Sequence, residues 1–567
     1  MAQATTSAAR RSSGWLDGVR RAARAAGDRA VSPTLPVLGF FLLALVVYLP
    51  GQSALPVTDR DEARFAQASR QMLESGDFVD VRFQEAARHN KPALAYWAQA
   101  AAAAVAGGPD AGIAAFRAPS WLAAAGAVAL TAWAGIALVG RKAALLGAAG
   151  LGACLLLAAE ARLAKTDALL LFCCVAALGA LARVQAGEAA RRWRVALWLA
   201  VGLGLLVKGP IVLIPLAGAL AGAALAARSW APVRAARPAQ GLAVALAVAA
   251  PWLIAITIAS GGGFWAESVG RDLLAKAVAG QESHGAPPGY HTLFALATFW
   301  PWAVLLPVAA PLVWRRRREP AVALLLGWAA ATFLVFELTP TKLPHYVLPA
   351  FPALALLLAA AAVEGLPDPG ARWRKAMTAF WVLPPSALVL AAALGPWMVT
   401  GAPSPGALVL GLAAGAAGLV AAAALLRWRL TRFAAAAAVS AVSAAAAVLQ
   451  FALPALTVAF PAPAMAAATE AWRCGDPRPP VLTAYREPSA VFHLGTDVIL
   501  ADGAGAAAAV AEGRAGLAWI GAREREAFLA VHPDAVPRHA IDAFNYSNGR
   551  RVALTLYDAR GENACAD

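Results

Sequence analysis

The sequence predicts an all-α polytopic membrane protein: about thirteen transmembrane helices, outer interfacial helices, and a small C-terminal α/β domain outside the membrane. Three observations carry this. Of 567 residues, 60% are hydrophobic and 14% are charged, where a soluble domain carries about 25% charged residues. Apolar runs long enough to cross about 30 Å of hydrocarbon recur along most of the chain, and mean hydropathy is +0.61. The net charge of +15 is gathered into clusters between those runs. The composition excludes a soluble enzyme, a disordered chain and a disulfide scaffold. The clustering argues against nucleic-acid binding, which needs a basic face on a folded surface.

The elements follow in order. Residues 1–33 carry six Arg ahead of the first apolar run. No small-residue cleavage site follows Pro50, so this is expected to be a basic cytoplasmic segment leading an uncleaved signal anchor. Residues 34–460 form the membrane domain. The predicted spans are 34–50, 113–139, 143–159, 168–186, 195–207, 211–227, 241–260, 291–313, 320–338, 346–364, 376–400, 406–426 and 433–460. Basic clusters lie at 1–33, 140–142, 187–194, 228–237, 315–319, 366–375 and 427–432. These windows hold 24 Lys and Arg against 5 Asp and Glu, a net of +19, and the rest of the chain is at −4. Positive charge in alternate loops places those loops inside, with the N-terminus cytoplasmic and the C-terminus outside. The same rule demotes the apolar stretch 93–106. If it crossed, every later basic cluster would fall outside. At about 21 Å as a helix it is also short, so it reads as an interfacial helix.

Two outer loops, 51–112 and 261–290, interrupt the membrane domain, and residues 461–567 form an extracytoplasmic α/β domain. Within it Val481–Tyr485, Val498–Ala501, Leu517–Ile520 and Val552–Tyr557 read as strands. Ala504–Glu512 and Arg523–Ala530 read as helices, and Asn548–Gly549 as a turn before the last strand. No nucleophile elbow, P-loop or metal-ligand spacing occurs there, so its expected role is to cover or shape a site at the membrane face. Cys154, Cys173 and Cys174 fall in spans as apolar packing. Cys474 and Cys565 bracket the outer domain and could pair in an oxidising exterior.

The chemistry gathers at the outer interface. Thr58-Asp59-Arg60-Asp61-Glu62-Ala63-Arg64-Phe65 opens a helix running to about Glu74. Capping explains Asp59 as N-cap and Glu62 three residues on, but leaves Asp61 without a task. Three acids in four residues beside a membrane could position or deprotonate an acceptor, so Asp61 and Glu62 are candidate catalytic residues. Asp167, in the short turn with Arg162 and Lys165, is either a helix cap or a further site acid. The chain has only seven Lys. Five of them, Lys91, Lys165, Lys208, Lys276 and Lys342, fall on the predicted outer side, against the general charge trend. Lys91-Pro92, Lys208-Gly209-Pro210 and Lys342-Leu343-Pro344 each precede an apolar helix, where free N–H groups and the lysine together suit a phosphate. The second outer loop adds Arg271 as a phosphate candidate and His284, which is either structural or a ligand. A coupled transporter needs ionisable groups near mid-membrane, and these spans hold few.

Several stretches resemble the GT-C superfamily, and within it the aminoarabinose-transferase group of lipid-linked-sugar glycosyltransferases, related to protein O-mannosyltransferases. They are Asp61-Glu62-Ala63-Arg64-Phe65 with Met72 to Phe78, Lys91-Pro92 with Tyr96-Trp97, Thr166-Asp167, Lys208-Gly209, and Thr341-Lys342-Leu343-Pro344-His345-Tyr346. The resemblance runs from about 34 to 460. It implies an inverting glycosyltransferase of the cytoplasmic (inner) membrane. Such an enzyme moves a hexosyl or pentosyl unit from a polyprenyl-phosphate donor to lipid A or another envelope glycolipid or glycan. It implies Asp61 as catalytic acid and Lys91 at the polyprenyl phosphate, with Asp167, Lys208, Lys342 and Tyr346 near that cavity. The family often has Glu before the Lys-Pro pair, where it can join a histidine in holding a metal. Here Asn90 stands there, a poor ligand, with His284 matching the histidine, so a divalent metal is a conditional expectation. The alternative function is a transporter or flippase of a lipid-linked substrate.

Overall fold

The structure, a computed structural model, describes residues 34–188, 190–274 and 285–561. The predicted N-terminal segment 1–33, His284 and Cys565 lie outside the described residues. Every predicted span is helical over most of its length. Among the described residues, nine helical runs are long and apolar enough to cross a membrane, or ten with one bent pair.

The run Arg191–Ala227 counts as one of the nine, but its ends meet the same neighbour, so it is a hairpin. Helix α1 (Asp167–Ala186) touches Lys208, at the end of α2 (Ala190–Lys208), through Asp167. Its last turn touches the segment after α3 (Leu213–Ala227), where Gln185 donates to the Pro232 carbonyl. The tip at Lys208–Val212 carries a positive φ at Gly209, which glycine adopts without strain. Helix α3 then packs against α4 (Pro320–Leu338). A Cβ added at Gly222 would lie 2.2 Å from the Ala323 carbonyl oxygen, and one at Gly218 2.3 Å from that of Gly327. Small residues let these backbones touch, as packing in lipid favours.

Two predicted spans are broken. Residues 143–159 form α5 (Arg141–Gly152) and α6 (Leu155–Glu160). Residues 291–313 form α7 (Tyr290–Thr298) and a helical run Ala303–Arg315 that meets it at 118°, with Pro301, which lacks a backbone N–H, in the turn. In lipid every freed backbone group needs a partner, and the two breaks supply each other. The Leu155 N–H donates to the Trp300 carbonyl at 3.1 Å, and Trp302 Nε1–H to the Gly150 carbonyl at 2.6 Å. Trp381 closes the second break by donating to the Pro301 carbonyl at 3.0 Å.

The first outer loop folds as α8 (Asp61–Ser75) and the short α9 (Leu94–Val105). At 12 residues α9 rises about 18 Å, too short to span. The C-terminal domain holds a five-stranded sheet ordered β4-β3-β5-β7-β6: β3 (Val481–Leu482), β4 (Ile499–Leu500), β5 (Leu517–Gly521), β6 (Val536–Asn545) and β7 (Arg550–Asp558). The first two strands, β1 (Arg82–Phe83) and β2 (Ala86–Ala87), form a small hairpin in the first outer loop. Strands β4, β3 and β5 are parallel, β7 runs antiparallel to β5, and β6 runs antiparallel to β7. Alternate residues of β5 feed two cores, Leu517 and Trp519 on one face, Ala518 and Ile520 on the other, as the period of two requires. Four strands match expectation. The fifth, β6, is an edge strand containing Pro537, with most of its residues exposed or half-buried. Cys474 is disulfide-bonded.

Candidate active site

A cavity of about 370 Å³ opens where α8, α9, α1, the α2–α3 tip and the end of α4 converge. Asp61, Lys91, Asp167, Lys208 and Tyr346 all line it, with Arg64, Arg88, Asn90, Lys165 and His345. Leu170, Ile211, Ile214, Val335, Phe336 and Leu343 supply an apolar wall. The second outer loop contributes Ser268 and Val269.

Asp61 is the first residue of α8, and the residue before it, Arg60, sits at φ 67°, ψ −105°. That region suits glycine and costs another residue about 1–3 kcal/mol. Asp59 makes no side-chain cap there; its carboxylate instead meets the C-terminal domain. Glu62 takes over the local bonding. It accepts from the backbone N–H and hydroxyl of Thr58 at 2.8 and 2.9 Å and from the Ala164 N–H at 3.0 Å. It also pairs with buried Arg117 at 2.7 Å. Arg117 in turn donates to the carbonyls of Gln52 and Leu55. Glu62 is absent from the cavity wall, so the expectation that it shares the chemistry is corrected. Neighbours on a helix lie about 100° apart, and Glu62 faces the protein while Asp61 faces the cavity.

Asp167 opens α1 and receives Lys208 Nζ at 2.6 Å. Lys165 Nζ lies 3.1 Å from Glu160 and 3.8 Å from Asp167. His345 stands between the same two acids, 3.8 Å from Glu160 and 3.9 Å from Asp167. Lys165 pairs with Glu160 and Lys208 with Asp167, and Arg64, Arg88 and Lys91 line the cavity together with Asp61. Lys91 precedes α9 as expected. Burial pushes the Asp61 carboxyl up, but the charges of Lys165, Arg88, His345 and Lys91 outweigh it and hold the group below its ordinary value. Lys165 is held above the usual lysine value: burial alone would lower it, and Glu160, Asp167 and Asp61 more than compensate.

Two expected phosphate ligands stand elsewhere. Lys342 Nζ donates to the carbonyls of Phe336 and Glu337 at 2.8 and 2.6 Å. It thus satisfies the C-terminal end of α4 and does not line the cavity. Arg271 is exposed in the second outer loop and is not part of the wall. Arg64, Arg88, Glu160 and His345 were missed. Arg64 was reachable, because i and i+3 share a helix face with Asp61. Glu160 and His345 come from α6 and the stretch before the 351–364 helix, and nothing in their local sequence announces the meeting.

The ligand atoms of Glu160, Asp167 and His345 lie within 4.8 Å of one another. The donor chemistry does not fit a divalent ion. Two ammonium groups already neutralise these carboxylates, and a metal would sit against both. The other expected ligand, His284, lies outside the described residues, and Asn90 offers only a neutral amide.

Residues 90–254 match the family model described as dolichyl-phosphate-mannose-protein mannosyltransferase. The undecaprenyl phosphate-alpha-4-amino-4-deoxy-L-arabinose arabinosyl transferase of Enterobacter sp. (strain 638) is 30% identical over 59% of this chain and 60% of that protein. The same-named protein of Erwinia tasmaniensis is 30% identical over 63% of this chain and 65% of its own length. The matched region thus spans about three fifths of these relatives. The crystal structure of ArnT from Cupriavidus metallidurans bound to undecaprenyl phosphate superposes with a TM-score of 0.69. It covers 92% of this chain and 97% of that one at 22% identity, a likeness of fold. The chain thus shares the multi-helix fold of that structure and is similar in sequence to these arabinosyl transferases over about three fifths of its length.

Proposed function

We propose that the chain is a membrane glycosyltransferase. It moves a sugar from a polyprenyl-phosphate donor to an acceptor at the outer face of the cytoplasmic membrane. The carrying observation is one cavity with an apolar wall on one side and, on the other, the acid Asp61 among the cations Arg64, Arg88 and Lys91. That is the complement of a lipid phosphate next to a reacting sugar. The names of the relatives support 4-amino-4-deoxy-L-arabinose as the sugar and undecaprenyl phosphate as its carrier. Lipid A is the acceptor this reading favours.

In the transfer, an acceptor oxygen forms a bond to the anomeric carbon while the bond from that carbon to the donor phosphate oxygen breaks. The electron pair leaves with the phosphate, which gains negative charge. Lys91 and Arg88 would stabilise that charge more in the transition state than in the ground state. A hydroxyl acceptor passes its proton to Asp61, whose depressed value keeps it ionised and ready. A phosphate acceptor brings no proton, and Asp61 then orients the sugar. Lys165, Lys208 and His345 hold Asp167 and Glu160 in place behind it. No step requires a metal.

The test is transfer by the purified chain in lipid nanodiscs, with polyprenyl-phosphate aminoarabinose and lipid A, read by mass spectrometry. Asp61→Asn is expected to lose at least about 10²-fold in kcat while inserting normally. Near-wild-type turnover in that variant would overturn the role of Asp61. Donor movement across the bilayer without a new glycosidic bond would replace the reading with a flippase.

A further inference from the structure

The Asp59-Arg60 turn is held from outside the membrane domain. Asp59 Oδ2 accepts the hydroxyl of Tyr485 at 2.6 Å, and Oδ1 accepts the backbone N–H of Ser489 at 3.0 Å. The backbone N–H of Asp59 donates to the Tyr546 hydroxyl at 2.5 Å. Arg60 Nη2 donates to the Ser547 carbonyl at 2.5 Å. All four partners belong to the C-terminal domain. On the other side of Asp61, Glu62 is fixed by Arg117, Thr58 and Ala164 within the membrane domain. Asp61 therefore stands between two anchors in different domains, directly after a residue in a glycine-favoured conformation (Arg60, φ 67°, ψ −105°).

We propose that the C-terminal domain holds Arg60 in this strained shape and thereby aims Asp61 into the cavity, making Asp59, Tyr485 and Tyr546 positioning residues for the transfer reaction. This rests on the glycosyltransferase reading. A strained backbone persists only where its surroundings over-determine it, and here the surroundings on one side are the C-terminal domain. Without the four bonds Arg60 relaxes to ordinary φ, and the first turn of α8 rotates about the Glu62 anchor. The acid then points away from the sugar while the cations that hold the donor stay in place. The same interface has contacts farther along α8 that serve only adhesion. Thr496 Oγ1 receives Gln67 Nε2 at 2.6 Å and donates to Glu74 at 2.7 Å, about two and three and a half turns beyond Asp61. They provide the control.

The experiment uses the full chain in nanodiscs. Tyr485→Phe with Tyr546→Phe is expected to lower kcat by roughly 30-fold, since small misplacements of a reacting group cost up to about 10²-fold. The KM for donor and the affinity for undecaprenyl phosphate should stay within about twofold, because the donor-holding cations are untouched. Thr496→Val should keep kcat within about twofold. Adding Arg60→Gly to the tyrosine pair should restore at least about fivefold, because glycine adopts this φ unaided. Hydrogen–deuterium exchange gives a readout independent of turnover: residues 58–64 should exchange faster in the tyrosine pair and not in Thr496→Val. Unchanged kcat and exchange in the tyrosine pair would overturn the proposal, as would an equal kcat loss in Thr496→Val or no rescue by Arg60→Gly. A wild-type chain that makes no glycosidic bond would instead overturn the transferase reading, and the exchange arm would still decide whether the turn is clamped.

Discussion

At the scale of single residues, the site is a contest between burial and charge. Asp61 is held below the ordinary carboxylate value because cations outweigh its burial. It is therefore ionised across the neutral range, and its basic form is lost only as pH falls through that depressed value. Removing one cation weakens the restraint. Arg88→Met is expected to move the acidic limb of kcat, measured at saturating donor, to higher pH by about one unit. A limb that stays put or moves lower would show that Arg88 does not act on Asp61. Glu62, one residue on, predicts a different outcome. Glu62→Gln leaves the Arg117 guanidinium buried with only carbonyl partners, a change that costs about 3–5 kcal/mol. It should lower the thermal midpoint and membrane yield, with kcat per folded molecule much less affected. A midpoint equal to wild type would contradict the structural role. The contrast marks what was legible. Asp61, Lys91, Asp167 and Lys208 are marked by local pattern and by resemblance, Tyr346 by resemblance alone, and all five line the cavity. Glu62 and Lys342 could not be separated from them, because sequence does not say whether a charged group meets a neighbouring loop, a helix end or open space.

At the scale of elements, hydropathy locates helices and says little about where they stop being straight. Residues 143–159 and 291–313 read as continuous spans because their apolar character runs through Ala153–Cys154 and Trp300–Pro301. The breaks exist because each satisfies the other's freed backbone groups, a tertiary fact. Strand β6 was missed for the opposite reason. It is an edge strand with Pro537 and the exposed polar residues His539 and Asp542, and its pairing with β7 leaves no apolar alternation to read. The α3–α4 contact yields a prediction of its own. Backbones there approach until a Cβ on Gly222 would meet a carbonyl oxygen at 2.2 Å, and carbonyls cannot rotate out of a helix. Gly222→Val should therefore force the helices apart and cost about 1–3 kcal/mol. Differential scanning fluorimetry in nanodiscs should show the drop. Because Ile214 on α3 and Val335 on α4 both line the cavity, donor KM should rise with it. Wild-type values for both would mean the two helices repack freely.

At the scale of the whole molecule, charge, cavity and outer domain must share one orientation. The seven basic windows carry a net of +19, which predicts them on the cytoplasmic side. Helix α1 begins at the cavity with Asp167 and ends beside the 187–194 cluster, so the cavity lies at the opposite end of the spans from the positive charge. The C-terminal domain bonds to Asp59 and Arg60 at the cavity end. The charge rule therefore predicts that both face outward, where the proposed polyprenyl-phosphate sugar and envelope acceptor would meet. The native cysteines leave room for a direct test, since Cys154, Cys173 and Cys174 are buried and Cys474 is disulfide-bonded. Glu526 in the outer domain and Arg317 in a basic cluster are both exposed. In cells with a permeable outer membrane, Glu526→Cys should react with a membrane-impermeant thiol reagent. Arg317→Cys should react only after the inner membrane is opened. The reverse pattern would place the site in the cytoplasm, away from any outer-leaflet acceptor, and would overturn orientation and function together. Labelling of both from outside would mean that the 315–319 cluster does not follow the charge rule. The 291–313 segment, already broken at 118°, would then be a re-entrant loop.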